Sequence, residues 1–334
     1  MLPVAELHIH IEGTLEPELL VNLAARNGTW MPTLDVDELR AQYRFDSLQS
    51  FLDVHSANLR VLKIEKDFYD LASTYLTRAA AAGVRRAEIF FDPQTHLANG
   101  VPLEEVFGGL SAALADGARD HGISADLILC FLRNLGPDAA DAVLRASLPY
   151  RDSFIGVGLD STEVGYPPAL FEQVYQLAAA EGLHLVAHAG EEGGPDYVGE
   201  ALDLLKVERV DHGVRSMEDP ELVARLRDQQ IPLTVCPLSN VALRVVPALG
   251  KHVLPGMLDA GLLATVNSDD PAYFGGYVDD NLAAVQQEFG FDDKQLAGLA
   301  RNSFDACFAP QADKARWKAE VDSWLAAGPS AQPR

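Results

Sequence analysis

Two histidines and a carboxylate alternate near the start of the chain, in the stretch ELHIHIEG over residues 6–13. Alternate residues of a β-strand point to the same face of a sheet, so His8, His10 and Glu12 are predicted to project together. Two imidazoles at this spacing can chelate a metal ion, although histidine pairs in strands also occur as ordinary hydrogen-bonded residues. On its own, the motif leaves both interpretations open.

Further polar groups that suit metal chemistry occur later in the chain. His188 lies in the motif HAGE, and Asp269 and Asp270 lie in NSDDP. Three imidazole nitrogens and one carboxylate oxygen form a suitable ligand set for zinc. Glu191, three residues after His188, is a candidate for proton exchange with a substrate. His212, in the motif VDHG, is a candidate to orient or deprotonate a metal-bound water.

Some of these residues also have a purely structural interpretation. His188 could be a core histidine bonded to a backbone carbonyl, and the motif DDP could cap a helix. Glu191 could be a carboxylate in the first turn of a helix, where the helix dipole favours it. Because all of these residues lie at predicted strand ends, a shared functional role is the better hypothesis.

The elements that would position these groups alternate along the whole chain. Short β-rich runs are separated by helical patterns, as in parallel βαβ units. The sequence predicts eight strands, at residues 4–10, 84–93, 125–133, 154–161, 184–191, 209–213, 232–239 and 263–270. We therefore predict a (β/α)8 TIM barrel with extra helices after strand 1, within residues 16–82, and at the C-terminus, after residue 280. The carboxyl ends of barrel strands form one face, so the polar residues would converge there.

Length, charge and cysteine content restrict the class of protein further. We predict one barrel domain over residues 1–326 and a disordered tail over 327–334. The formal net charge of −23 disfavours binding to nucleic acid. No apolar run reaches membrane-spanning length and the first residues lack a secretory signal pattern, so we expect a cytoplasmic protein that does not bind membranes. Three distant cysteines, Cys130, Cys236 and Cys307, predict buried reduced thiols and no disulfide framework.

Two other kinds of metal site fit the sequence poorly. His10 and Glu12 match the H-x-E pattern of cytidine-deaminase zinc sites, but that class also needs a P-C-x-x-C motif, and the chain offers only CPLS from Cys236. Two-metal barrel sites often use a bridging carbamylated lysine, yet all seven lysines lie away from the polar strand ends. A site with one metal ion is therefore predicted.

Five motifs, in order along nearly the whole chain, resemble those of the adenosine and adenine deaminase family within the amidohydrolase barrels: ELHIHIEGTLEPEL, HAGEEG, RVDHGVR, TVCPLSN and VNSDDPAYFGGY. The resemblance implies one Zn²⁺ per chain, held by His8, His10, His188 and Asp269. It also implies that Glu191 donates a proton, that His212 orients the attacking water and that Asp270 contacts a purine. The expected reaction replaces an exocyclic amine of the purine with oxygen.

Two departures from the adenosine-deaminase pattern concern the substrate. Glu12 stands where that subgroup has an aspartate, and DSTEVGYPP follows strand 4 where that subgroup has A-G-D-E. A longer carboxylate could occupy the space of a ribose and accept the ring N–H that only a free base carries. We therefore expect adenine as the small-molecule substrate, hypoxanthine and ammonia as products, and Glu12 as a substrate contact.

Other functions remain open at this point. Within the same chemistry, the substrate could be adenosine, giving inosine, or an N6-substituted purine. A metal-binding barrel without turnover is the alternative from a different class. A closed structural metal site would have no need of Glu191, His212 and Asp270 beside it, which favours an enzyme. The sequence leaves the oligomeric state open.

Overall fold

The computed structural model describes residues 1–328, in which eight parallel strands pair in the order of the sequence. The strands are β1 (Val4–His10), β2 (Val84–Phe91), β3 (Ser124–Leu132), β4 (Gly156–Asp160), β5 (His184–Ala189), β6 (Arg209–His212), β7 (Leu233–Val235) and β8 (Ala264–Val266). A parallel bridge between Ile9 and Asp269 joins the segment that follows β8 to β1. The Asp269 N–H donates to the His8 carbonyl at 3.0 Å. The predicted (β/α)8 barrel is confirmed.

Helices surround the barrel and fill both regions where surplus chain was predicted. Four helices lie between β1 and β2, namely α1 (Pro17–Asn27), α2 (Val36–Ala41), α3 (Leu48–Asn58) and α4 (Glu65–Ala82). The middle of the chain forms α5 (Pro93–Ala98), α6 (Leu103–His121), α7 (Pro137–Ser147), α8 (Glu172–Ala180), α9 (Pro195–Glu200), α10 (Pro220–Gln229), α11 (Pro237–Ala242) and α12 (Leu254–Asp259). After β8 follow α13 (Pro271–Phe274), α14 (Val278–Phe289), α15 (Asp293–Ala306) and α16 (Gln311–Ala327).

Several strands end earlier than the sequence predicts, because a proline begins the next helix. Asp92, Cys236 and Asp270 each precede a proline that starts α5, α11 or α13. The residue before a proline avoids helical geometry, and proline suits the first helical position because its missing N–H has no partner there. The polar residues that follow these strands therefore sit in sharp turns at the rim of the barrel.

The added helices have different positions around the barrel. Helix α3 packs over the C-terminal rim in an apolar cluster formed by Phe45, Leu48, Phe51, Leu243, Tyr273 and Phe274. Helix α15 packs against β1 and β8 and is fastened by a hydrogen bond from the Ala5 N–H to the Ser303 hydroxyl at 2.8 Å. Helix α16 reaches Ala327, the first residue of the predicted tail, while residues 329–334 lie outside the described part of the chain.

Two smaller predictions concern the thiols and the membrane. All three cysteines are free and buried, as predicted. No helix within residues 1–328 combines the length and apolar character that a membrane crossing requires.

Candidate active site

Four predicted ligand residues meet at the C-terminal rim of the barrel. The His10 and His188 Nε2 atoms are 3.2 Å apart, and Asp269 Oδ1 lies 3.5 Å from His8 Nε2 and 3.6 Å from His10 Nε2. Atoms bound at 2.0–2.1 Å to a tetrahedral zinc ion lie about 3.3 Å from one another. These three spacings fit ligands of one such ion, and the ligand atoms of His8, His10 and His188 all lie within 4.8 Å of one another. His8 Nε2 is buried without a hydrogen-bond partner among the described residues.

Residues behind the cluster orient its imidazole rings. The Thr234 hydroxyl donates to Asp211 Oδ1 at 2.8 Å, so it accepts from His8 Nδ1, which is 2.9 Å away. The proton of His8 is thereby fixed on Nδ1, which leaves the lone pair on Nε2 facing the cluster. Similarly, His10 Nδ1 faces Asp160 Oδ2 at 3.6 Å. Partners of this kind set the tautomer and orientation of metal-binding histidines.

The protonation states of the cluster also suit a cation. Burial lowers the pKa of His10 to about 4 and the pKa of His188 well below its usual value, so both are neutral at pH 7. Burial alone would raise the pKa of Asp269, but the neighbouring His8 and His212 hold it well below its usual range. Neutral imidazoles and an ionised carboxylate are the forms that bind metal ions.

Glu191 faces the same site from the turn after β5. Helix α9 begins only at Pro195, so the interpretation of Glu191 as a first-turn helix residue is wrong. Its side chain is buried, with Oε2 lying 3.5 Å from His212 Nε2 and Oε1 lacking a hydrogen-bond partner in the described structure. Burial raises the pKa of Glu191 well above its usual value, and the negative charges of Asp269 and Glu163 raise it further. A protonated Glu191 can donate a proton at neutral pH.

Glu163 holds the turn that carries Glu191, and the sequence analysis assigned it no role. Its buried carboxylate accepts hydrogen bonds from four consecutive backbone N–H groups, those of residues 190–193, at 2.7, 3.1, 2.7 and 2.8 Å. The departure from A-G-D-E after strand 4 marked this segment as unusual, but a sequence alone does not reveal pairing between two turns. The contacts fix the direction in which Glu191 leaves the strand.

A chain of hydrogen bonds orients His212. The Leu254 N–H can only donate, so His252 Nδ1 accepts at 3.0 Å and the proton of His252 lies on Nε2. That proton is donated to Asn240 Oδ1 at 3.1 Å, and the Asn240 amide lies 3.4 Å from His212 Nδ1 as a donor. The remaining proton of His212 therefore lies on Nε2, 3.7 Å from Asp269 Oδ2. Burial lowers the pKa of His212 to about 3, which keeps the ring neutral.

Asp270 lines the cavity and is packed closely against the end of the opening motif. It precedes α13 but makes no capping hydrogen bond, so the interpretation of this residue as a helix cap is wrong. Burial and the charge of Asp269 raise the pKa of Asp270 well above its usual value. A Cβ atom on Gly13 would lie 2.1 Å from Asp270 Oδ1, so only glycine fits at this position.

Glu12 does not point where the sequence analysis expected. The backbone turns into a helical conformation at Ile11, which ends the alternation of the strand and directs Glu12 away from the cavity. Its carboxylate accepts hydrogen bonds from the Asp92 N–H at 2.9 Å and from His96 Nε2 at 2.8 Å. A direct contact between Glu12 and a substrate therefore stays a prediction that its position does not favour.

The site opens into a cavity of about 310 Å³ whose roof is formed by α3. Six of the predicted residues line the cavity, namely His10, His188, Glu191, His212, Asp269 and Asp270. The lining also includes Phe51, His55, Asp92, Asn134, Asp160 and Thr162. Asp92 and Asp160 follow or end strands, so their location at the rim was predictable, although no role was assigned to them. His55 lies on an inserted helix and carries no comparable signal in the sequence.

A residue with a left-handed backbone conformation ends or follows each of the strands β4, β6 and β8. Ser161, His212 and Asp269 have φ angles of 70°, 62° and 68°. Such angles are uncommon for residues other than glycine and concentrate at functional sites. Two of the three positions carry groups of the candidate site.

Comparison with known proteins places the chain in a family. The family model described as adenosine deaminase matches residues 3–324. An adenine deaminase from Streptomyces coelicolor is 59% identical over 97% of this chain and 96% of its own length. An adenine deaminase from Cupriavidus taiwanensis is 54% identical over 99% of this chain and 94% of its own length.

Solved structures agree with this placement. An adenine deaminase from Arthrobacter aurescens has a TM-score of 0.96 at 53% identity, covering 98% of this chain and 100% of that chain. An amidohydrolase from Burkholderia ambifaria with bound Zn has a TM-score of 0.90 at 32% identity, covering 98% of this chain and 92% of that chain. This chain therefore belongs to the adenosine deaminase family of metal-dependent amidohydrolases.

Proposed function

We propose that this protein is a zinc-dependent adenine deaminase that converts adenine and water into hypoxanthine and ammonia. The observation that carries the proposal is the buried carboxyl group of Glu191, whose pKa burial raises well above its usual value, in the same cavity as His10, His188 and Asp269. The names of the Streptomyces and Arthrobacter relatives support adenine as the substrate. We propose one Zn²⁺ per chain, in keeping with the Zn-bound amidohydrolase structure.

The metal would be held by His8, His10, His188 and Asp269. When bound, Zn²⁺ acts as a Lewis acid that makes water nucleophilic near neutral pH. The protein supplies the remaining groups. The Glu191 carboxyl donates its proton to N1 of the purine, which makes C6 electrophilic. The oxygen of water forms a bond to C6, and one proton of that water passes through Asp269 to the amine. The C6–N6 bond then breaks, the amine leaves as ammonia, and the second proton of the water returns to Glu191.

Two further residues position the reacting atoms. Asp269 Oδ2 is an ionised oxygen that accepts a proton from the attacking water. His212 carries its proton on Nε2, as the hydrogen bonds through Asn240 and His252 require, so it donates a hydrogen bond to the attacking oxygen and does not remove a proton. This supports an orienting role for His212 over the role of a general base.

Asp270 supplies a contact on the five-membered ring of the purine. N7 of adenine is a hydrogen-bond acceptor, so its partner must donate. The raised pKa of Asp270 keeps its carboxyl group protonated at neutral pH and able to donate. Glu191 at N1 and Asp270 at N7 then flank C6 on both sides and fix its approach to the water.

An ammonia-release assay tests the proposed function. The holoenzyme is given adenine, adenosine and N6-methyladenine; released ammonia is measured for the first two, released methylamine for the third, and the metal content in parallel. We expect the largest kcat/KM for adenine and one zinc ion per chain. A larger kcat/KM for adenosine or for N6-methyladenine contradicts the proposed substrate, and no ammonia or methylamine from any of them favours a binding protein.

A variant at Glu191 separates catalysis from metal binding. Glu191→Gln removes the transferable proton but keeps the size of the side chain, so we expect kcat to fall by about 10²- to 10⁴-fold while the metal content stays unchanged. Glu192→Gln is the matched control, because Glu192 is adjacent in sequence and does not line the cavity. Equal activities of the two variants would refute the role of Glu191.

A further inference from the structure

Asp92 presents an unsatisfied oxygen at the cavity wall. It directly follows β2, lines the cavity and is only 6% exposed, and its Oδ1 atom has no hydrogen-bond partner within residues 1–328. The backbone is held in place, because the Asp92 N–H donates to Glu12 at 2.9 Å and α5 begins at the next residue. Leaving a buried acceptor unpaired is unfavourable, so such an atom facing a cavity indicates a missing donor.

The surroundings of Asp92 do not supply that donor. Asp160 and His10 lie close by, with a carboxylate oxygen of Asp92, a carboxylate oxygen of Asp160 and a ring nitrogen of His10 all within 4.8 Å of one another. A direct hydrogen bond between the two carboxyl groups requires a proton on one of them. Asp160 also faces His10, so its carboxyl group is directed toward the proposed metal cluster as well. Whichever carboxyl group holds the proton, Asp92 keeps an oxygen that can accept a hydrogen bond from a ligand.

In the ring of eight strands, Asp92 follows β2, which is three or four strands away from those that carry Glu191 and His212 and two away from β8, which precedes Asp270. Glu191, His212 and Asp270 follow or end β5, β6 and β8, which form one half of the ring of strands. Asp92 follows β2 in the other half. In a purine, C6 lies between N1 and N7, and the edge formed by N3 and N9 lies on the opposite side. A purine whose C6 edge faces the first half therefore turns its N3–N9 edge toward β2.

We infer that Asp92 is a specificity-determining substrate contact, which accepts the ring N–H at N9 of a free purine base and disfavours purines substituted at N9. The inference rests on the proposed function, because it assumes that Glu191 and Asp270 hold N1 and N7. In a nucleoside, N9 has no proton and carries a bulky sugar, so Asp92 would stay unpaired. A site built to bind a donor discriminates strongly against an analogue that lacks it.

This inference also gives Glu12 a place in the site. Glu12 is a positioning residue, because its carboxylate accepts the hydrogen bond from the Asp92 backbone and does not reach the cavity itself. The sequence analysis assigned the recognition of the free base to a carboxylate at the rim. The structure favours Asp92 for this contact, with Glu12 behind it.

The test compares adenine with 9-methyladenine, which differs only at N9, in the wild type and in two variants. In Asp92→Ala we expect kcat/KM for adenine to fall by about ten- to a hundredfold, because a buried hydrogen bond to the substrate is lost. The value for 9-methyladenine should stay within about threefold, since that substrate makes no such bond. Asp92→Asn keeps an acceptor oxygen and should retain most of the preference for adenine.

Binding provides a second readout that does not depend on turnover. Calorimetric titration of wild-type holoenzyme and of Asp92→Ala with hypoxanthine and 9-methylhypoxanthine should show the same loss of preference. An equal fall for both ligands, or no fall for either, would overturn the inference, since a merely structural residue would affect both alike. If the wild type deaminates no adenine, the proposed function fails, while the binding comparison still decides the role of Asp92.

Discussion

Two buried polar regions of the barrel differ in how completely their charges are paired. Toward the N-terminal ends of the strands, Glu88 accepts hydrogen bonds from Arg86, from Arg209 and from the Phe308 N–H. At the C-terminal rim, by contrast, several buried atoms have no hydrogen-bond partner among the described residues, namely His8 Nε2, His55 Nε2, Asp92 Oδ1, Asp160 Oδ1 and Glu191 Oε1. In the first region the charge of Glu88 is paired within the protein, although Arg209 Nε has no hydrogen-bond partner among the described residues, whereas the unpaired atoms of the second region lie at the candidate site.

The same strands serve both regions. Strand β2 carries Glu88 and is followed by Asp92, and β6 begins with Arg209 and ends with His212. Burial raises the pKa of a carboxyl group, yet the charges of Arg209 and Arg86 hold the pKa of Glu88 below its usual range. A few residues further along the strand, Asp92 has no cation beside it and its pKa is raised well above its usual range by burial and by Asp160. A nearby cation therefore accounts for the difference between the pKa of Glu88 and that of Asp92.

The largest expected effect comes from breaking the paired region. Glu88→Gln removes the anion and leaves Arg209 buried, so we expect the free energy of unfolding to fall by about 3–5 kcal/mol. Denaturant unfolding of the holoenzyme measures this loss. Asp203→Asn, which breaks an exposed ion pair with Arg225, is the matched control and should cost less than about 1 kcal/mol. A loss below that value in Glu88→Gln would show that the buried pair contributes little.

Glu6 provides an intermediate case, with hydrogen-bond partners but no cation. It accepts hydrogen bonds from Tyr75 and Ser268, and burial raises its pKa from 4.5 to about 7. The native state holds this proton more tightly than the unfolded chain does, so stability is lost as the pH rises from 4.5 through 7. The loss amounts to about 3 kcal/mol.

Glu6→Gln removes this titration, so the difference between its unfolding free energy and that of the wild type should change with pH over this range. Chemical denaturation at several pH values between 4 and 8.5 measures the difference. A constant difference across the range would mean that Glu6 keeps the same charge in the native and unfolded states.

The smallest expected effect comes from His252, a residue of the rim whose side chain is hydrogen-bonded to Asn240. His252→Ala removes the partner of Asn240 and frees the tautomer of His212, so we expect kcat to fall by about ten- to a hundredfold with little change in KM or metal content. His252→Gln can still donate to Asn240 and should recover part of the activity. Steady-state kinetics decide this, and an unchanged kcat in His252→Ala would refute the positioning role.

Much of the fold and of the site was predictable, because the hydrophobic periodicity of the sequence indicates strands and helices and the positions of its polar residues indicate the strand ends. Eight strands, seven of them with polar ends, predict a barrel with one polar rim, and this placed His8, His188 and Asp269 together although they are far apart in sequence. The boundaries were less predictable, since a proline after Asp92 or Cys236 ends the extended backbone earlier than the apolar pattern indicates.

The features that escaped prediction depend on local backbone or on distant pairing. Glu12 was expected in the cavity, but the helical turn at Ile11 rotates it away, and nothing in the alternation of the motif indicates that turn. Glu163 binds the backbone of another turn, and His55 reaches the cavity from an inserted helix. Contacts of this kind arise only when the chain has folded.

The bridge that joins Ile9 to Asp269 has a consequence for the order of assembly. A ribosome synthesises His8 and His10 more than 250 residues before Asp269. Until Asp269 has emerged, a nascent chain can offer a metal ion only part of its proposed ligands. Tight binding of the metal ion should therefore require the closed barrel. The amount of bound metal would then measure how much of the protein has completed folding.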